Sequence, residues 1–289
     1  VMQACVKVSV VNFRADTGGG LARLLEYTRA AARQGSRIIL FPALALAGAG
    51  ALDASMESGA EPVPGPASEA MAALTRELQV YAAFGMPVRE GDAVYSSVVL
   101  CGPEGLLGRY DALHLSPVEA RWARPGRSLP PCFETPYGRV GLLSGEDCLY
   151  YFEGLRYLKA RGAQLILSAS AVNEPAMCAA YQKILTRRVG LNTIPIAVAN
   201  LVGAGFVGGS HILSPAEPIE QAQVAAGCPL DGARAGAPGL FSAVLDMTAG
   251  RTMPHYPYFE FNQRVGSPDW RPDLYREMYE ETLRAPLWR

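Results

Sequence analysis

The sequence predicts a mixed α/β fold, and three observations carry that prediction. Apolar runs of strand length alternate with helix-period segments along the chain. Two of the runs, 94–100 and 106–110, flank Gly102-Pro103-Glu104-Gly105 and read as an antiparallel hairpin. The chain has 289 residues, 49% of them hydrophobic, enough for one large core. Alternation alone suggests a doubly wound parallel sheet. The hairpin argues against a purely parallel one, and periodicity leaves the choice open.

The elements follow in order. Val6, Val8 and Val10 alternate with Lys7 and Ser9 in a strand over 5–11. Asp16-Thr17 caps a helix carrying Leu21, Leu24, Leu25 and the alanine-rich run to Ala32. Residues 36–41 form a short buried strand, and 42–66, rich in Ala, Gly and Pro, form a loop. A helix over 68–78 and a buried strand over 80–85 precede the hairpin. Residues 113–133 read as a long Pro-containing loop, and 139–143 as a strand. A helix over 151–161 stops at Gly162, and a strand follows at 165–167. A helix from about 174 to 189 leads to a buried strand at 194–199. Ile212-Leu213 runs into a turn at Ser214-Pro215, and 241–245 is the last clear strand. From His255 onward the chain is rich in Pro, Tyr and Arg and is expected to wrap a neighbour or the parent domain. Gly18-Gly19-Gly20 sits between a strand and a helix, which invites a phosphate-loop reading. No Lys-Ser/Thr follows, however, and Arg23 stands where GxGxxG needs glycine. A flexible start to the helix is the better account.

Composition excludes several function classes. Lys and Arg number 26 against 27 Asp and Glu, so net charge gives no case for nucleic acid or anionic lipid. No run of ~20 apolar residues occurs, so no transmembrane helix is expected. The six cysteines, Cys5, Cys101, Cys132, Cys148, Cys178 and Cys228, are scattered without a CxxC. They read as reduced, mostly buried thiols in a cytoplasmic protein. The three histidines, His114, His211 and His255, share no helical spacing, so no metal site and no cofactor is expected. Val1 ahead of Met2 reads as a residue before the native start, and the early strand leaves no room for a signal peptide.

Five segments carry a family pattern. A strand closes on Phe41-Pro42-Ala43. Gly108-Arg109-Tyr110-Asp111-Ala112-Leu113-His114-Leu115 follows. Glu119 then precedes Pro125-Gly126 and Thr135-Pro136-Tyr137-Gly138. Next comes Ser144-Gly145-Glu146-Asp147, with Phe152-Glu153 after it. Last are Ala199-Asn200, Gly208-Gly209-Ser210 and Arg271-Pro272-Asp273-Leu274-Tyr275. In this order they resemble the nitrilase, or carbon–nitrogen hydrolase, superfamily, from Val6 to about Tyr275. The resemblance implies a four-layer αββα sandwich, with 2–275 as one domain and 276–289 as a C-terminal tail at an oligomer interface. It also implies a homodimer or a larger even oligomer.

The family's reaction uses a glutamate base, a lysine that stabilises the oxyanion and a cysteine nucleophile on a strand-to-helix elbow. At the matching positions stand Ala43, Ala112 and Gly145, none of which ionises. The expectation is therefore a catalytically silent member that keeps a role in binding a small molecule, of unknown identity, or a partner protein. Three alternatives stay open. One is acid/base chemistry in the same pocket, using Glu119, His114 and Glu146. Another is residual hydrolysis through Cys148, three residues past the nucleophile position. The last is a structural subunit paired with an active relative. Glu119 matches the family's second pocket glutamate. Asp147 reads as the structural residue of the elbow, capping backbone donors at the helix start. His114 reads as a loop-bonding histidine, and Tyr150 and Tyr151 as core or cavity lining. His211 is placed near the rim, Arg187-Arg188 as a solvated or interface pair, and Asn200 as a partner for buried backbone. The step from Gly145 to Glu153 is one residue longer than the family's usual spacing. Counting back from Glu153 puts Glu146 at the nucleophile position instead, and neither register supplies a thiol.

Overall fold

Valines at alternate positions start β1 (Cys5–Arg14), but from Val8 to Phe13 both faces are buried, as a central strand requires. The computed structural model describes residues 5–14, 20–47, 56, 58–173, 175–216, 221–227, 236–248 and 271–284. The chain forms two compact units, Val1–Met253 and Pro254–Arg289.

In the first unit β1 pairs in parallel with β2 (Ile38–Leu40), and β2 with β3 (Tyr81–Glu90). β3, β4 (Ala93–Gly102) and β5 (Gly105–Asp111) continue antiparallel, so the expected hairpin is present. The other edge of β1 is shared. β14 (Gly239–Asp246) runs antiparallel along most of it, and β10 (Leu201–Gly203) pairs at Phe13 and Arg14. β11 (Phe206–Val207) completes this sheet.

The second sheet is built on β7 (Gly138–Ser144), β8 (Leu165–Ala169) and β9 (Ile196–Ala199), in parallel. β6 (Cys132–Thr135) lies antiparallel on one side, with β12 (His211–Ala216) and β13 (Gln221–Gly227) on the other. Contacts of β2 and β3 with β8, and of β4 and β5 with β7, stack the sheets face to face. α1 (Gly20–Arg33) and α2 (Pro66–Leu78) cover the first sheet, with Tyr27 of α1 against Phe13 of β1 and α2 over β3 to β5, and Thr28 and Met71 join the two helices. α4 (Phe152–Ala160) and α5 (Pro175–Asn192) cover the second. The expected four layers are thus present. Mixed sheets replace the doubly wound alternative because β3–β5 and β12–β13 pair antiparallel.

Several local expectations need correction. The helix expected over 151–161 is present as α4, but a short helix that was not expected, α3 (Gly145–Leu149), precedes it, and the two are separated where Tyr151 takes extended geometry. Gly162, at φ +82°, ends α4 in the left-handed region, as expected. Ser214-Pro215 is no turn but part of β12. β9 pairs with β12 only at 211–213, so Pro215 removes no hydrogen bond from that ladder. The loop over 113–133 contains a 3₁₀ turn, Glu119–Arg121, and ends in β6. The cap at Asp16-Thr17 and residues 18–19 lie outside the described residues, as does 255–270.

In the second unit α6 (Pro272–Arg284) is exposed along its whole length, and the expected boundary between 275 and 276 falls inside it. Among the described residues no helix is long and apolar enough to cross a membrane.

Candidate functional site

Three strand ends meet at one place. Ala43 follows β2, Gly145 follows β7 and Ser170 follows β8. Ligand sites in α/β sheets favour such carboxyl ends. β7 and β8 are parallel neighbours with Ser144 opposite Ala169, so residues 145 and 170 emerge together. The Ala43 N–H donates to the Ser170 carbonyl at 3.1 Å, tying the first sheet to the second. Between them lies a cavity of about 460 Å³, lined by Ala43, Gly145, Glu119, Glu146, Ser170 and Tyr181 among others. That volume falls in the usual range for small-molecule sites. Leu44, a buried residue on the wall, sits at φ +57°, a left-handed conformation that a bulky side chain rarely holds without support.

At Gly145 space is tight. A Cβ there would meet Ser170 Oγ at 2.8 Å and the Tyr181 hydroxyl oxygen at 3.1 Å. Those hydroxyls are bonded to each other at 2.7 Å, and Tyr181 also donates to the Gly145 carbonyl at 3.1 Å.

The acids divide by environment. Glu119 is buried at the cavity wall. Ser96 Oγ donates to its Oε1 at 2.6 Å, and Ser116 donates N–H and O–H to Oε2 at 3.0 and 2.7 Å. Glu146 also lines the cavity, and no hydrogen bond or ion pair reaches its carboxylate from the described residues. Burial pushes it up to about 7, helped by the charges of Glu119 and Asp147 and opposed by His114. Asp147 turns the other way. It accepts from the hydroxyls of Tyr110 and Ser144 at 2.7 and 2.6 Å, and from the N–H groups of Leu113 and His114 at 3.0 and 3.1 Å. His114 Nδ1 lies 2.6 Å from its Oδ1, and the His114 ring stacks on Tyr151 with centroids 3.3 Å apart.

A family description, carbon-nitrogen hydrolase, matches residues 2–229. The chain belongs to the carbon–nitrogen hydrolase family. Human omega-amidase NIT2 is 26% identical over 208 residues, covering 68% of this chain and 73% of that protein. A nitrilase from Pyrococcus abyssi is 31% identical over 143 residues, 49% of this chain and 54% of that one. Among solved structures, an amidase from Nesterenkonia sp. superposes with a TM-score of 0.71 at 22% identity, covering 96% of this chain and 98% of that one. This last likeness establishes the carbon–nitrogen hydrolase fold.

Of the residues picked from sequence, Ala43, Gly145, Glu119 and Glu146 come together on the cavity. Ala112 is buried nearby on the backbone. Its N–H donates to the Ser96 carbonyl, and its own carbonyl accepts from Gly126. His114, Asp147, Cys148 and Tyr151 are not among the lining residues. His114, Asp147 and Tyr151 form one group behind α3. The expected cap of the helix start by Asp147 is not present; its carboxylate holds the 113–114 backbone instead. The N-cap of α3 is Ser144, whose Oγ accepts from the Asp147 N–H. Cys148 is fully buried, and burial pushes its thiol up to about 11. Asn200 does serve buried backbone, accepting from Val172 and Leu201 and donating to Gly208. Arg188 is no free surface charge: it donates to the Leu149 carbonyl and lies over the Phe152 ring. His211 is buried beside Ser170 and Tyr181, behind the cavity rather than at its rim.

Sequence reasoning missed Ser170, Tyr181, Ser96 and Ser116. Ser170 had a signal: it ends a buried run at the carboxyl end of a parallel strand, beside the elbow. Tyr181 had none, because its role depends on where α5 crosses that strand end.

Proposed function

We propose that this chain is a small-molecule-binding carbon–nitrogen hydrolase relative that does not run the family's thiol chemistry. One observation carries the reading. A Cβ at residue 145, which any nucleophilic side chain needs, would come within 2.8 Å of Ser170 Oγ and 3.1 Å of the Tyr181 hydroxyl oxygen, two groups bonded to each other. The remaining parts agree with it. Ala43 presents no carboxylate to take a thiol proton, and nucleophile and base must lie within hydrogen-bond reach. Ala112 offers no ammonium for an oxyanion, a donor commonly worth ~10²–10³-fold in rate. The described cavity lining contains neither cysteine nor lysine. Cys148, buried and with its thiol pushed up to about 11, supports no thiolate at neutral pH. One solved form of the Nesterenkonia amidase carries a covalent adduct at its active-site cysteine. No equivalent adduct is expected here.

The test is direct. The purified protein is offered a panel of short aliphatic amides and nitriles, and ammonia release is followed alongside binding by ligand-observed NMR. Binding of panel members without turnover is expected. Sustained ammonia release that disappears in Cys148→Ser would overturn the reading and restore a displaced-thiol hydrolase.

A second reading has one observation in its favour. Glu146, held near 7 beside Glu119, is placed as a general acid or base would be. It requires a non-hydrolytic substrate whose conversion follows a pH profile centred near 7 and collapses in Glu146→Gln.

A further inference from the structure

We propose that the cavity takes a small organic cation, with its ammonium group held by Glu119 and Glu146 and its apolar body against the aromatic wall. This rests on the reading of the cavity as a ligand site and adds the ligand's charge to it.

The argument begins with charge. Both ionisable carboxylates of the described lining are acids, and no lysine, arginine or histidine joins them there. Every donor to Glu119 is neutral: a serine hydroxyl from β4, and the N–H and hydroxyl of Ser116. These satisfy lone pairs without cancelling the charge. Glu146 has no hydrogen-bond donor among the described residues and no cationic side chain beside it on the lining, and the His114 charge that acts on it does not outweigh its burial. A carboxylate withdrawn from water without a partner is costly, and the cost falls when a cation arrives with N–H donors.

The shape then narrows the class. The lining is more than an acid pair. Leu44, Leu149, Val172 and the rings of Tyr181 and Phe206 supply an apolar surface. A bare divalent ion would leave that surface unused and would want six or more oxygen ligands. Among the described residues no group of three or more metal-ligating side chains comes together. An alkyl or aryl ammonium uses both parts, with ring faces near its charge adding cation–π attraction. Protonation of Glu146 answers the same deficit when the site is empty, which agrees with its position near 7.

Three probes of one shape and different charge test this: phenethylammonium, 2-phenylethanol and 3-phenylpropionate. Each is titrated into the full chain by ligand-observed NMR at mildly alkaline pH, where Glu146 is ionised. Phenethylammonium is expected to bind at least about tenfold more tightly than the alcohol, with the carboxylate weakest. Glu146→Gln should abolish the ammonium advantage and leave the alcohol unchanged. That variant is the primary one because it breaks no contact within the chain, whereas Glu119→Gln disturbs three hydrogen bonds. Equal binding of ammonium and alcohol, or tighter binding of the carboxylate, overturns the charge assignment and leaves the cavity reading standing. Binding of none of the three overturns both.

Discussion

Glu146 and Asp147 are neighbours on α3, yet the fold treats them in opposite ways. Asp147 points back into the molecule, where two hydroxyls, two backbone N–H groups and the His114 ring surround it. Glu146 points forward into the cavity and finds no such partner among the described residues. The same division runs through the elbow. Behind it, Tyr110 and Cys148 are buried, Tyr110 donates to Asp147, and the more exposed His114 and Tyr151 rings stack on each other. In front, Ala43 and Gly145 are small, and the Ser170 and Tyr181 hydroxyls stand against Gly145. A charge with every lone pair satisfied belongs to the scaffold. A charge left open in a cavity is available to something else.

The sharpest way to break this contrast is to remove each acid in turn. Asp147→Ala is expected to cost about 3–5 kcal/mol, because it strands the Tyr110 and Ser144 hydroxyls and the 113–114 amides in a buried place. Glu146→Ala should cost far less, since nothing in the chain relies on that carboxylate. Urea unfolding of the two variants at neutral pH gives the comparison. Equal losses would mean that Glu146 is as structural as its neighbour.

The front of the elbow can be probed by filling it. Gly145→Cys places a Cβ against Ser170 Oγ, at 2.8 Å, and against Tyr181. Ser170 cannot yield freely while its hydroxyl is bonded to Tyr181. Overpacking of this kind costs about 1–3 kcal/mol. Adding Ser170→Ala removes the oxygen in the way, so the double variant should recover part of the loss. A double-mutant cycle on unfolding free energy measures the coupling. If the two changes simply add, the hydroxyl pair does not occupy the space assigned to it.

Much of this contrast was legible in the sequence, and the limits have physical causes. β2, β9 and the Leu165–Leu167 stretch of β8 are continuous apolar runs, because parallel central strands are buried on both faces, and they stand out without tertiary information. The five motif segments located Ala43, Gly145, Glu119 and Glu146 for the same reason: each lies at or near the end of such a strand or on the loop beside it. β6, β10, β11 and β13 were not read. They are short or polar; β10 exists because distant β1 offers it an edge, and β6, β11 and β13 are held by their chain neighbours β7, β10 and β12. Ser214-Pro215 looked like a turn because Pro seldom sits in a sheet, and only the limited reach of β9 along β12 makes room for it. Tyr181 is the clearest loss. Nothing local marks a tyrosine in mid-helix as the residue that closes the nucleophile's space.

The smallest effect is also the most specific to Glu146. An unfolded glutamate titrates near 4.5, whereas in the folded chain this one titrates at about 7. Between those values the folded state holds the extra proton. Stability from this group is therefore fully present below the unfolded value and is lost as pH rises through the folded one. Glu146→Gln keeps the shape and removes the titration. The melting temperature of the variant relative to the parent should thus climb across that window and level off above it. The gain is expected to be on the order of 1–2 kcal/mol, held down because the cavity is partly open to solvent. His114, Glu119 and Asp147, whose charges act on Glu146, remain in both proteins. A flat difference across the window would mean that Glu146 is hydrated like a surface carboxylate, and the contrast with Asp147 would then be one of geometry alone.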